Sequence, residues 1–189
     1  EINRMLSVGM LIKKAMKGHI DLLGPASKVQ EELMGIPSFD SPDYSELFSE
    51  EKEMIGKLKK AFLMVAGGAV QKYGMDLDAH QQLLMAAADI LIEIYMAEST
   101  LLRTEKMAKK QGESNVKEQI AMAKLYLYKA VDIVASKGKE SIISFAEGDE
   151  QRMMLMGLRR FTKYTNMPNV VGLRETITSK LIAENQYCY

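Results

Sequence analysis

The sequence predicts an all-α fold, an antiparallel up-and-down helical bundle with a preceding helix and an irregular connector. Two observations carry most of that reading. Apolar residues recur every three to four positions over long stretches, which is the repeat that lines one face of a helix. No stretch shows the two-residue alternation of a half-buried strand. A third observation sets the topology: short clusters of glycine, asparagine and aspartate separate the periodic stretches, and short turns make consecutive helices antiparallel neighbours.

The first element runs from Ile2 to Lys17. Met5, Leu6, Met10, Leu11, Ala15 and Met16 form one face, opposed by Asn3, Arg4, Lys13, Lys14 and Lys17, and Gly18 is the expected stop. Residues 24–48 then change character. Pro25, Pro37 and Pro42 fall there with Gly24, Gly35 and a turn cluster at 38–43, which reads as a connector holding a short helix near Lys28 to Met34. Ser49 is placed to cap a long helix whose first turn carries Glu50, Glu51 and Glu53. Met54, Leu58, Phe62, Val65, Ala69 and Tyr73 give its apolar face, and Gly74 ends it. Gly67 and Gly68, costly inside a helix, imply close approach of a neighbouring helix.

Asp78-Ala79-His80-Gln81 reads as a capping box for the next helix, which continues to about Lys110 before Gly112. Leu84, Ala88, Leu91, Tyr95 and Leu102 form its seam. A second capping-box pattern, Asn115-Val116-Lys117-Glu118, opens a helix with Val116, Ile120, Ala123, Leu127, Val131 and Val134 on one side. The pattern continues through Ile142, Ile143 and Phe145, with a break expected at Gly138 or Gly148. Met153 to Tyr164 follows. Asn166-Met167-Pro168 then stops and restarts the chain, with proline suited to a first helical turn, and Val170, Leu173, Ile177 and Leu181 mark the last helix.

Composition narrows the function. Over 189 residues, 25 Lys and Arg balance 25 Asp and Glu, so the basic excess of a nucleic-acid-binding domain is missing. The single cysteine, Cys188, cannot form an internal disulfide, and the longest apolar stretch, Ala61 to Val70, is far short of a membrane span. These features point to a soluble, helix-rich, cytoplasmic protein. His19 and His80 are far apart in sequence and lack carboxylates at ligand spacing, so no metal site is expected. Asp89 and Glu93 lie one turn apart, opposite the seam, and read as a solvated pair. Glu98 falls within the stripe of Leu91, Tyr95 and Leu102, where a buried carboxylate needs a partner; Arg152 or Arg159 could supply it. Met153, Met154 and Met156, followed by Arg159, Arg160 and Lys163, fit a bundle helix with a charged outer face. The same residues also fit an adaptable apolar surface or a basic amphipathic helix at a membrane.

Glu1-Ile2-Asn3-Arg4 resembles the end of the acyl-CoA dehydrogenase motif Tyr/Phe-Glu-Gly-Thr-x-Gln/Glu-Ile-x-Arg. Leu58 to Gly74, Asp78 to Glu105 and Glu147 to Asn169 resemble the C-terminal extension of the very-long-chain-like, FAD-dependent members, particularly bacterial ones. The resemblance implies residues 1–23 as the last helix of the dehydrogenase core, 24–48 as connector and 49–189 as the C-terminal bundle. It implies a parent enzyme that oxidises acyl-CoA with FAD as cofactor, a glutamate removing the α-proton and flavin N5 accepting hydride. That glutamate falls four positions before Glu1, so no catalytic residue is expected in this chain, and no cofactor bound by it alone. Glu1 corresponds to the motif position that contacts the adenine side of FAD. The implied partners are the upstream dehydrogenase core, further copies in a homo-oligomer, and electron-transfer flavoprotein. Relatives attach to membranes through a basic connector, whereas residues between Gly18 and Phe48 carry one positive and six negative side chains, which opposes attachment to anionic lipid. A free-standing helical bundle that binds a ligand or partner is the alternative, and an enzyme centred on Glu98 a third reading.

Overall fold

The computed structural model describes residues 1–35 and 44–189. It is built from seven α-helices among these residues: α1 (Ile2–Met16), α2 (Leu23–Met34), α3 (Ser49–Tyr73), α4 (Gln81–Gln111), α5 (Lys117–Phe145), α6 (Gly148–Phe161) and α7 (Val170–Glu184). No strand occurs among the described residues, and none of their helices is long and apolar enough to cross a membrane. The turn cluster at 38–43 lies outside the described residues.

Helices α3, α4, α5 and α6 form the up-and-down bundle. Cross-helix pairs fix their directions. Lys52 meets Glu105 and Lys59 meets Glu98, so α3 and α4 run antiparallel. Glu51 meets Lys124 near one end and Tyr73 reaches Ser144 near the other, so α3 and α5 run parallel. The expected faces of α3 and α5 are the ones buried. Met54, Leu58, Phe62, Val65 and Ala69 pack with Ala123, Leu127, Val131 and Val134 in one core. α1 lies along α4, α2 along α3, and α7 along α5.

Glycines let the bundle close tightly at two crossings. A Cβ at Gly68 would lie 2.8 Å from Met154 Cε and 2.9 Å from Phe145 Cε2, which confirms the close approach expected there. At Gly138 it would lie 2.8 Å from Leu158 Cδ1, so α5 does not break at Gly138; the glycine admits α6 instead. The break comes at Ala146, just before Gly148, whose φ of 58° lies in the left-handed region.

Several local expectations are corrected. α2 starts at Leu23 rather than near Lys28, with Pro25 in its first turn, where a missing N–H costs nothing. Ser49 is the first helical residue rather than the cap. Its hydroxyl donates to the Glu46 carbonyl, and left-handed Phe48 precedes the helix, its side chain buried in the core. The Asp78 box does not form, because residues 74–79 make a 3-10 turn and α4 starts after His80 without a side-chain cap. Nor does the Asn115 box: the Asn115 amide donates to the Gln111 carbonyl, closing the previous helix instead. Pro168 stands before α7 rather than in its first turn; Asn169 is the cap, its side-chain oxygen accepting from the Gly172 N–H at 3.1 Å.

Candidate functional site

The chemistry predicted from sequence is redistributed by packing. At the start of α1, Arg4 donates to Glu1 at 2.8 Å and to Asp89 of α4. Asp89 is therefore half-buried and paired rather than solvated, because α1 lies over that part of α4. Its expected companion Glu93, one turn further along, instead accepts a hydrogen bond from Tyr126 on α5. Burial, then that bond and the carboxylate charge, push the Tyr126 phenol up to about 12. Asp89 and Glu93 thus serve two different interfaces and form no acid–base pair.

Glu98 is also corrected. It is half-exposed and pairs with Lys59 of α3 at 2.6 Å, not with Arg152 or Arg159. Arg152 pairs with Asp149 on its own helix at 3.3 Å, and Arg159 is exposed. The reason is rotational: Leu84 and Ala88 of the expected seam are buried, but further along α4 the seam turns away from the core. The face turned to the core carries Ile90, Ile94, Ala97, Leu101 and Ala108, and both Tyr95 and Leu102 are exposed. His80 stacks on Tyr73 with ring centroids 3.6 Å apart, a packing role. No group of three His, Cys, Asp or Glu among the described residues has metal-site geometry. Cys188 is a free, partly buried thiol near the C-terminus.

The methionine cluster divides by helix face. Met154 is buried against Gly68, Met153 is half-buried and Met156 exposed, so the three make no continuous groove. Arg160 reaches across to α2, placing a guanidinium nitrogen 3.6 Å from the Glu32 carboxylate, which also receives Lys60 at 2.7 Å.

Two features had no sequence signal. Glu118 is buried at the start of α5, with Lys180 of α7 at 3.4 Å and Lys117 at 3.9 Å. It lies opposite the predicted seam, on the side of α5 that Lys180 of α7 reaches. The other is a cavity of about 330 Å³ where Glu50, Glu51, Lys124 and Tyr164 meet the turn before α7. Its charges are already engaged: Glu51 with Lys124 at 3.0 Å, and Glu50 with the Asn166 N–H at 2.7 Å. The Tyr164 hydroxyl is buried without a hydrogen-bond partner among the described residues, and burial followed by the nearby Glu51 charge raises its pKa.

What the described residues build, then, is a set of helix-to-helix attachments rather than a converging catalytic constellation. The family defined as the acyl-CoA dehydrogenase C-terminal domain matches residues 57–160, from α3 to the end of α6. A probable acyl-CoA dehydrogenase of Bacillus subtilis (strain 168) is 36% identical over 184 residues, covering 97% of this chain and 31% of that protein. The crystal structure of an acyl-CoA dehydrogenase complexed with FAD from Bacillus anthracis matches 100% of this chain and 32% of its own, at 37% identity and a TM-score of 0.91. The chain spans about a third of the length of each of these relatives. By the family match across its bundle and the likeness along its whole length, the chain belongs to the acyl-CoA dehydrogenase family, as its C-terminal domain.

Proposed function

We propose that this chain is the packing and assembly module of a longer FAD-dependent acyl-CoA dehydrogenase, whose complete polypeptide oxidises acyl-CoA to 2-enoyl-CoA. The observation that carries the reading is the full-length likeness to about a third of an FAD-complexed dehydrogenase. On this reading the chemistry lies upstream, including the glutamate expected four positions before Glu1. FAD supplies the hydride acceptor when bound there. This chain's own contribution to the cofactor is Glu1, an exposed carboxylate held in place by Arg4, which Asp89 braces from behind. A carboxylate accepts hydrogen bonds and cannot donate them, which suits the exocyclic amine of an adenine.

The division into a core helix (1–23), connector (24–48) and bundle (49–189) belongs to the same proposal, as do homo-oligomer assembly and electron-transfer flavoprotein as redox partner. The test is the intact mass and visible spectrum of the native protein captured through this domain. A yellow chain much heavier than 21.2 kDa, bleached by an acyl-CoA, is expected. A colourless product of 21.2 kDa would overturn the reading.

A further inference from the structure

Helix α2 meets α3 at a pair of small residues. A Cβ at Gly67 would lie 3.5 Å from the Ala26 Cβ, so the two backbones approach closely at that point. A cavity opens on each flank of this contact. One, of about 90 Å³, faces α1 and is walled by apolar side chains such as Val8, Leu11 and Phe62. The other, of about 240 Å³, faces α6. Ala26, Leu63, Gly67 and Val70 line both and form the partition between them. Beyond the contact α2 is fastened by buried Val29 and by Glu32, which takes Lys60 at 2.7 Å and Arg160 at 3.6 Å.

The larger cavity combines an apolar interior with a polar rim. Its interior is made by Leu33, Leu63 and three methionines, Met64 of α3 with Met153 and Met154 of α6. Thioether side chains are flexible and polarizable, so they repack around an irregular apolar guest. The rim is Ser27, Gln30, Gln71 and Glu150, all exposed. Ser27, Gln30 and Gln71 make no side-chain hydrogen bond among the described residues, which leaves their donors and acceptors open to a ligand. Among the described residues lining the cavity, Glu150 alone is charged. The 240 Å³ would hold about eight water-sized groups at roughly 30 Å³ each. Apolar walls hold water poorly and take up apolar molecules instead.

We propose that this cavity binds a short, uncharged single-chain amphiphile. The alkyl chain lies against Leu63, Met64 and Met154, and the head group hydrogen-bonds with Gln30 and Gln71 at the rim. The Gly67–Ala26 contact stops the chain and so sets its length. An anionic head is disfavoured because Glu150 stands at the mouth with no cation lining the cavity beside it. The site lies wholly between α2, α3 and α6 and needs no residue upstream of Glu1.

Photolabelling of the native protein with an eight-carbon alcohol carrying a diazirine on its chain, followed by peptide mapping, tests this. Label should concentrate on residues 63–71 and 150–154. Straight-chain alcohols from butanol to octanol should compete for it, each added methylene tightening competition about fourfold until the cavity is full. Octanoate should compete several-fold less well than octanol. Ala26→Phe places a ring in the cavity from the α2 side and should cut labelling of these residues at least tenfold, with labelling elsewhere and the far-ultraviolet circular dichroism unchanged. Should that variant fail to fold, the alcohol series on the unaltered chain decides alone. Label spread over exposed residues without excess at 63–71 and 150–154 overturns the proposal. So does competition indifferent to chain length, octanoate competing as well as octanol, or full labelling of a folded Ala26→Phe protein.

Discussion

Helices α6 and α7 are nearly equal in length, at 14 and 15 residues, and both pack on α5, yet they are held by different forces. α6 buries Met154, Gly157, Leu158 and Phe161, and glycines on α5 and α3 let its side chains approach the neighbouring backbones. α7 buries none of its residues. It is attached by the Asn169 cap, by Lys180 on buried Glu118, and by half-buried Leu173 and Ile177. Burial of apolar area scales with the surface removed from water, whereas polar attachments exchange one set of hydrogen bonds for another. α6 should therefore open only with the whole bundle, and α7 should open locally at lower cost.

The largest effect is expected at the end of α6. Phe161→Ala should cost about 3–5 kcal/mol, read from urea or thermal unfolding. A loss near zero would mean that α6 is no better anchored than α7.

Glycine substitutions sharpen the same contrast inside α3. At Gly68 a methyl group meets the Phe145 ring and Met154, so Gly68→Ala should lose about 1–3 kcal/mol to overpacking, less about 1 kcal/mol regained in helix propensity. At Gly56 nothing lies within 4 Å, and Gly56→Ala should stabilise by up to about 1 kcal/mol. Equal shifts in the two melting temperatures would refute the close approach at Gly68.

For α7, Lys180→Met removes the principal partner of a buried carboxylate and should weaken the attachment by about 1–3 kcal/mol. Hydrogen exchange should speed up along α7 while the amides of α6 stay protected. Uniform acceleration in both helices would show that they open as one unit. Asn169→Ala is a smaller perturbation, about 1 kcal/mol for a lost cap, and should appear first in the amides of residues 170–173.

The smallest effect concerns Tyr164, at the joint between the two helices. Burial raises its pKa above the unfolded value, so the folded chain keeps a proton that the unfolded chain releases. Its contribution is complete below about pH 10 and declines as pH rises above that value. Tyr164→Phe should flatten the alkaline limb of the stability curve. An unchanged limb would mean that the hydroxyl is solvated.

The helices, and the inner faces of most of them, can be read directly from the residue pattern. The period of α3 and α5 names the residues that are buried, and Gly18, Gly74 and Gly112 mark helix ends because left-handed or otherwise positive φ favours glycine there. The family likeness was also legible, since it resides in the residues themselves. Which side of α4 faces the core depends on its neighbours in the fold. Two apolar stripes on one helix look alike to a periodicity argument, and only the positions of α1, α3 and α5 distinguish them. The fold likewise decides that Asp89 pairs with Arg4, that Glu98 pairs with Lys59, and that Glu118 is buried. The caps at Ser49 and Asn115 diverged because both side chains found a nearer carbonyl, at Glu46 and Gln111. Periodicity and capping patterns describe a helix and its own turns; burial and pairing depend on neighbours that arrive from distant sequence, as α1 does on α4.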